Sequence, residues 1–502
     1  MIAAATFAAV FLSRWLLAPK HLFYFDSVNF ALALEEFAPA LHQPQPPGYP
    51  LFVGLSRLVH LLVPSVELVF LLTGALGAAA AVLLLWQLGE WMFGPRAGFL
   101  SGLLLLFNPA FWLGGITNPV RVFLAVGAVA VALSAWRAWR PGSPRRHLLA
   151  AAATLGVAAG FRPDLILFLA PLVFVAGVRG RHKSATFALA GLLAILCALP
   201  WLLVLVNEAG GFASFVQLAS TYLNIESRNA SLLLGARAQS AGKMTISALV
   251  WNFLGALSWV WVLPWARKAP AGPERSQAVL FLGVWFLPAF LFHSLVHVGD
   301  PDQTLATVPV VCLLGGWALS RLREKSAGRI PLRWTTAATV AVAINVFLFF
   351  RPLPSPANAA SYRVVRWVDG ITNDTFGAIR ELKASGPIFL VACEPLVTWR
   401  KVAYYFPDDP MLVIEQCTQA SGDGHGVWLA GKTKTQTPEI GPEGILLPSD
   451  REIVWLLPPE PRIRQQLEEA ATLKPLGPLF HSRPGPGAKF RLGGYSLSVV
   501  SP

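Results

Sequence analysis

Long apolar runs recur from the N-terminus to about Phe350 and then stop. A helix needs about 20 apolar residues to cross a hydrocarbon core of roughly 30 Å. A chain that meets this length repeatedly is a polytopic bundle, because lipid offers no partner for an unpaired backbone group. The runs fall at roughly 1 to 17, 66 to 87, 97 to 114, 119 to 136, 148 to 161, 164 to 178, 184 to 206, 245 to 265, 277 to 296, 304 to 320 and 334 to 350, which gives eleven expected spans. The pair around "AAGFRPDLILFLAPL" is short for two crossings and also reads as two short helices meeting at a buried turn. Composition agrees: of 502 residues 55% are hydrophobic and 13% charged, where soluble domains carry about a quarter charged.

The expected fold class is therefore mainly α, with residues 1–350 in the membrane and residues 351–502 as a soluble domain. Past Arg351 the charges balance and apolar runs shorten to strand length. "PIFLVA", "MLVIEQ", "VWLA" and "EIVWLL" read as buried strands, and "SYRVVRWVDGITNDTFGAIRELKAS", "EPLVTWRKVAYYF" and "PRIRQQLEEAATL" as helices, so a small α/β layer is expected. No glycine-rich phosphate loop or Ser-His-Asp arrangement compels catalysis there.

Orientation follows from the basic residues, since short loops rich in Lys and Arg stay cytoplasmic. Alternate threading gathers Arg96, Arg137, Arg140, Arg145, Arg146, Arg179, Arg181, Lys183, Arg267, Lys268, Arg275, Arg321, Arg323, Lys325, Arg329 and Arg333 on one face. Most of the formal charge of +13 is this topology signal rather than a nucleic-acid footprint. The opposite, outward face takes a first loop, 18–65, a long loop, 207–244, a late loop near His297, and the tail. Arg14 and Lys20 run against the preference.

The first outward loop opens "FYFDSVNFALALEEFAPALHQPQPPGYPLFVGLSRL". "SVNFALALEEF" suits a helix lying in the interface, with Asp26 where an N-cap belongs. "PGYPLFVGLSRLVHLL" reads as a turn feeding a second such helix, the two framing a pocket at the membrane surface.

An aromatic cluster, an acid opening a juxtamembrane helix, and then a His and a Pro-Pro-x-Tyr-Pro-like element resemble the first outer loop of the GT-C integral-membrane glycosyltransferases, including relatives of protein O-mannosyltransferase and aminoarabinose transferase. The matching residues are Asp26, His42, Pro46, Pro47, Tyr49 and Pro50. The late loop "HSLVHVGDPDQTLATVPVVCLLGGWAL" is similar to a His and Gly-Asp-Pro-like turn in that class. The resemblance implies a polyprenyl-phosphate-linked sugar as donor, a glycan, lipid or protein as acceptor, and Asp26 as catalytic base or metal-site acid. It also implies hexosyl or pentosyl transfer at the outer face of a bacterial cytoplasmic membrane, within the cell envelope. Asn29, His42, Gln45, Tyr49 and His297 are then pocket residues, although His42 and His297 also read as metal ligands, proton carriers or, above all for His297, polar residues satisfied at the interface.

The chemistry is consistent with that role. Glycosyl transfer passes through an oxocarbenium-like transition state, so inversion needs one carboxylate to deprotonate the acceptor hydroxyl. The lipid phosphate leaving group needs cations rather than an acid. Arg162, Arg121, Arg228, Arg237 and Lys243 are the candidates. Arg162 stands equally within reach of a structural ion pair with Asp164, and Arg121 at a span start serves equally as an anchor. Asp300 and Asp302 have the spacing of a carboxylate pair for a hard cation, although an Asp-Pro turn with a solvated neighbour explains them more simply. "GGITNPVRVF" departs from the family pattern, with Asn118 and Arg121 where relatives often carry a second acid, which leaves a divalent metal open. Two other function classes stand beside this one, a polytopic transporter and a non-catalytic protein binding lipid-linked glycans. Transporters usually place ionisable residues near mid-bilayer, and here they cluster at span ends. Cys393 and Cys417 flank neighbouring strands in an oxidising compartment, where a disulfide is one expectation.

Overall fold

The computed structural model describes residues 2–228, 230–266, 273–322, 333–351, 353–393, 397–415, 426–458 and 460–500. Arg267, Lys268, Arg323, Lys325, Arg329 and Cys417 lie outside the described residues. By contact the chain forms two units, Met1–Pro19 with Ala33–Val365, and Lys20–Leu32 with Arg366–Pro502. The sequence suggests a division at residue 350; the contacts move it to Val365 and assign a piece of the first loop to the C-terminal unit.

Up to Phe350 the helices are α1 (Ile2–Trp15), α2 (Phe25–Glu35), α3 (Pro50–His60), α4 (Val66–Phe93), α5 (Pro95–Leu106), α6 (Pro109–Thr117), α7 (Pro119–Ala138), α8 (Arg145–Phe161), α9 (Asp164–Arg179), α10 (Ser184–Glu208), α11 (Phe212–Arg228), α12 (Ala238–Phe253), α13 (Leu263–Ala266), α14 (Pro273–Leu295), α15 (Val308–Ser320) and α16 (Trp334–Phe350). Every expected run is helical. Among the described residues four helices are long and apolar enough to cross a membrane, and six if each bent pair, α5 with α6 at 52° and the α12–α13 stretch at 58°, counts as one span. Hydropathy registers these broken segments as it registers straight ones, so it cannot separate a crossing from a bent helix. The breaks have local causes. Asn108 accepts hydrogen bonds from the Ala110 and Phe111 amides at 3.1 and 3.3 Å, and Pro109 follows at the first helical position.

α7 is the buried axis of the bundle, with Leu124, Ala128, Val131 and Ala135 fully enclosed. Small residues set the spacing of its neighbours: Gly98 in α5 lies so close to the backbone of Trp86 and Glu90 in α4 that a methyl group has no room. Arg14, at the end of α1, is 1% exposed. Its guanidinium lies 5.7 Å from the Phe111 and Trp112 rings and donates to the Leu106 carbonyl at 3.2 Å. It is a packed side chain, not the solvated loop charge that the positive-inside preference counts.

The C-terminal unit contains α17 (Tyr362–Ser385), which starts just before the unit boundary, α18 (Trp399–Tyr405) and α19 (Pro461–Glu468). Its strands are β1 (Ile388–Cys393), β2 (Met411–Ile414), β3 (Val427–Ala430), β4 (Thr435–Gln436), β5 (Ile440–Gly441), β6 (Gly444–Pro448), β7 (Glu452–Leu456), β8 (Lys474–Leu476), β9 (Leu479–Ser482), β10 (Lys489–Leu492) and β11 (Tyr495–Val500). One sheet has the order β4-β3-β2-β1-β7-β9-β8 and a smaller one β10-β11-β6-β5. β2, β1 and β7 are parallel, in register Leu390 with Met411 and Ile388 with Glu452. Both faces of β1 are covered, as a parallel centre requires. Ile388, Leu390 and Ala392 pack with Phe376, Val402 and Phe406, whereas Phe389, Val391 and Cys393 pack with Ile463, Leu467 and Phe490. Cys393 is disulfide-bonded; Cys197 and Cys312 are free, within helices.

Candidate functional site

In the bundle unit, the helix ends that follow or precede the first, long and late loops carry an ionisable cluster. Arg162 caps the C-terminus of α8, and Pro163 is the N-cap residue of α9, making Asp164 its first helical residue. Arg162 donates to both oxygens of Asp164, at 3.2 and 2.6 Å, and lies 5.1 Å from the Tyr49 ring centroid. The fork engages the carboxylate with two of its nitrogens and stacks on the phenol, leaving further N–H groups on the guanidinium. Arg121, in the first turn of α7, has its Nε 4.0 Å from Oδ1 of Asp302. Asp302 is fully buried and packs on α6, where a Cβ at Gly114 would meet the Asp302 Cβ at 3.0 Å. His293, near the end of α14, is buried and interacts electrostatically with Asp164, His297, Arg162 and Arg121. His297 lies just past that helix. Burial and then the Arg121 charge hold its imidazole below the usual histidine range, against a backbone hydrogen bond at Glu226.

The formal charges of Arg121 and Arg162 are balanced by Asp164 and Asp302. The cluster is thus a positioned set of donors rather than a concentrated positive charge.

The first-loop residues divide between the units. His42 follows the 3-10 turn Pro39–Leu41 with a left-handed backbone, φ 56°, and its ring meets Tyr222 of α11 edge-on at 5.8 Å. Gln45 and Tyr49 are buried, and Gln45 Oε1 has no hydrogen-bond partner among the described residues. Asp26 and Asn29 belong to the other unit. There the segment is fastened to the C-terminal part: the Lys20 amide donates to Asp369 Oδ1 at 3.0 Å, the Leu22 amide to the Tyr405 hydroxyl at 3.0 Å, and Lys401 Nζ to the Phe23 carbonyl at 2.7 Å. His21 meets Phe376 and Tyr405 edge-on, and Phe25 packs on Trp399. Burial pushes the Lys401 ammonium down to about 8, opposed by the Asp369 charge.

Two expectations change here. α2 begins at Phe25, so Asp26 is its second helical residue and not the cap, a place where a carboxylate still favours the helix dipole. Ser27 to Leu34 are all buried, so α2 is an enclosed helix, unlike the interfacial one expected; it is apolar on nearly every side. α3 does fit an interface, burying Phe52 and Val53 while exposing Leu58. Asp26 is half-buried, and Asn29, three residues on along the same helix face, has both amide atoms buried without a hydrogen-bond partner among the described residues.

The long loop folds as α11 and a 3-10 turn, Leu232–Leu234, tied down by Ser231 Oγ donating to the Leu295 carbonyl at 2.7 Å. Arg228, Arg237 and Lys243 are exposed. Asp300 is the N-cap residue of the 3-10 helix Pro301–Ala306, the turn expected for it, whereas Asp302 is not solvated but buried beside Arg121. Among the described residues no three His, Cys, Asp or Glu side chains converge to hold a metal. Sequence reasoning missed His293 as a site residue, although an ionisable group so near an apolar span is itself a functional signal.

A cavity of about 400 Å³ lies between α7 and α8, lined by Phe123, Val126, Gly127, Ala130, Thr154 and Phe161. Its walls begin two residues after Arg121 and one before Arg162 in the sequence, and they include the exposed Val157.

Residues 44–204 match the family model described as dolichyl-phosphate-mannose-protein mannosyltransferase. That range holds Gln45, Tyr49, Arg121, Arg162 and Asp164; Asp26 and Asp302 lie outside it. No curated protein matches the chain by sequence. Among solved structures, ArnT from Cupriavidus metallidurans bound to undecaprenyl phosphate is similar over 96% of this chain and 97% of that one, with a TM-score of 0.60 and 16% identity. The apo structure of the same protein matches with a TM-score of 0.58 and 15% identity over 96% of each chain. The protein is therefore an integral membrane protein with the fold of the GT-C glycosyltransferases.

Proposed function

We propose that the protein is an inverting glycosyltransferase that moves a sugar from a polyprenyl-phosphate carrier to an acceptor hydroxyl on the outer face of a bacterial cytoplasmic membrane. The observation that carries this reading is the pair of buried guanidiniums, Arg121 and Arg162, held by Asp302 and Asp164 on the two helices, α7 and α8, that also wall an apolar cavity. A phosphate on an isoprenoid needs that combination of fixed N–H donors and a dry channel. The fold likeness supports it, since the ArnT structure it resembles was solved with undecaprenyl phosphate.

In this reading Asp26 accepts the acceptor's proton as its oxygen attacks the anomeric carbon. The bond from that carbon to the phosphate oxygen breaks, and the electron pair leaves with the polyprenyl phosphate. Arg121 and Arg162 hold the departing phosphate through N–H donors, and the exposed Arg228, Arg237 and Lys243 supply the positive excess that the balanced cluster lacks. The cavity seats the first isoprene units, with Gln45, Tyr49, His42 and His297 shaping the sugar pocket. Asp302 beside Arg121 serves to orient that arginine.

The test is transfer from radiolabelled polyprenyl-phosphate hexose and pentose donors in membrane vesicles. Asp26→Asn is expected to lower the rate by about 10² to 10⁴, the usual worth of a general base, with unchanged insertion. Undiminished transfer by that variant would exclude Asp26 as base. A product with retained anomeric configuration would exclude inversion, and solute uptake without transfer would favour a transporter.

A further inference from the structure

The other end of the bundle carries a second built cavity, of about 560 Å³, lined among others by Trp91, Trp136, Arg137, Arg140, Ser143 and His147. It lies about 24 Å along α7 from Arg121, sixteen residues at 1.5 Å each. Its character is opposite to that of the first cluster. Arg137 and Arg140 are exposed, and among the described residues no Asp or Glu lines the cavity. The permanently charged side chains that His147 senses are Arg146 and Arg137, both positive.

The walls are also arranged to receive something. The Arg137 guanidinium lies 4.1 Å from the Trp91 ring centroid, a cation–π contact that orients the fork without neutralising it. Ser143 Oγ is taken up by the Ala138 carbonyl and His182 Nε2 at 3.0 and 3.1 Å, which fixes the loop between α7 and α8. The Trp136 indole N–H is buried with no hydrogen-bond partner among the described residues, and His147 interacts with the Arg137 backbone. Two guanidiniums with no carboxylate beside them among the described residues, and an indole N–H without a partner there, call for a multivalent oxygen acceptor. Tryptophan rings at a helix end call for the lipid headgroup level.

We propose that this cavity binds the phosphate headgroup of an anionic membrane phospholipid, clamped by Arg137 and Arg140 against Trp91 and Trp136. A basic pocket between helix ends, open at headgroup depth, is the arrangement that such a phosphate selects. The site is separate from the transfer reaction and stands whether or not that reading holds.

The test is native mass spectrometry of the full-length chain in neutral micelles titrated with phosphatidylglycerol, phosphatidylcholine or inorganic phosphate. Phosphatidylglycerol is expected to bind at least about tenfold more tightly than phosphatidylcholine, and Arg137→Gln with Arg140→Gln to remove about tenfold of that affinity, the effect of two charges beside an acidic headgroup. Replacing Arg145 and Arg146 by Gln, charges at the same end that do not line the cavity, is expected to change it less than twofold. Equal losses from the two pairs would overturn the proposal in favour of diffuse surface charge. Full displacement of the lipid by millimolar inorganic phosphate would reassign the cavity to the free ion and overturn the lipid. Should the double variant fail to fold, Arg140→Gln alone, at an exposed side chain, is set against Arg145→Gln in the same titration, and equal losses again overturn the proposal.

Discussion

The two ends of the bundle are both rich in arginine, yet they treat it in opposite ways. At one end Arg121 and Arg162 are buried, and each faces a carboxylate. At the other Arg137 and Arg140 stay exposed around a cavity that no carboxylate lines among the described residues. Burial explains the difference. A guanidinium removed from water must recover its lost solvation from a fixed partner, whereas one left in water needs none. The buried arginines are therefore oriented by their carboxylates, whereas Arg137 takes its orientation from the Trp91 ring and keeps its charge uncompensated by any carboxylate among the described residues. Lys401 in the C-terminal unit is an intermediate case, buried and bonded to a carbonyl with only the Asp369 charge in support.

The largest expected effect is from Arg121→Met. Removing the cation leaves Asp302 buried opposite an apolar chain, and thermal unfolding in detergent should show a loss of about 3 to 5 kcal/mol. Adding Asp302→Leu should restore most of it. If the single change were as mild as one at Arg137, the contrast between the ends would fail. Next is Arg162→Lys, which keeps the charge but loses the fork on Asp164 and the stacking on Tyr49. Under the proposed function kcat/KM for a polyprenyl-phosphate donor should fall roughly tenfold to a hundredfold while the protein remains folded. A smaller effect is expected from pH at Lys401. Its folded value of about 8 lies below the ordinary 10.5, so the native state binds fewer protons than the unfolded one between these values, and stability rises with pH across that window. The fastening of residues 20–32, read by hydrogen exchange corrected for intrinsic rates, should strengthen by on the order of 1 to 2 kcal/mol from pH 8 to about 10. Lys401→Met should flatten the profile. Smallest are Arg228→Gln, Arg237→Gln and Lys243→Gln, which should leave stability within about 0.5 kcal/mol and raise donor KM only a few-fold, an effect that added salt masks.

What was legible in the sequence follows the range of each signal. A lipid-crossing segment writes its whole length into consecutive residues, so every helical run was readable, although the bends at Asn108 and beyond α12 were not. Arg162 and Asp164 are two residues apart and their pairing was readable too. Arg121 and Asp302 meet only because α7 and the 3-10 turn after α14 pack together, which no local pattern records. In the C-terminal unit the buried strands β1, β2 and β7 were visible as continuous apolar runs. Strands such as β6 and β10, which alternate buried and exposed residues in five positions or fewer, were too short to register. α2 misled because its few polar residues imitate an amphipathic pattern, when its enclosure depends on partners hundreds of positions away.

Those partners have a consequence for how the molecule is made. Lys20 and Leu22 are held by groups 349 and 383 positions later in the chain. During synthesis the stretch bearing Asp26 therefore emerges early and waits, without its full set of anchors, until just over four-fifths of the protein has been translated. A chain stopped short of Tyr405 would keep its helices and lose its grip on that stretch, and an exchange of C-terminal regions between relatives would have to carry residues 20–32 along with it.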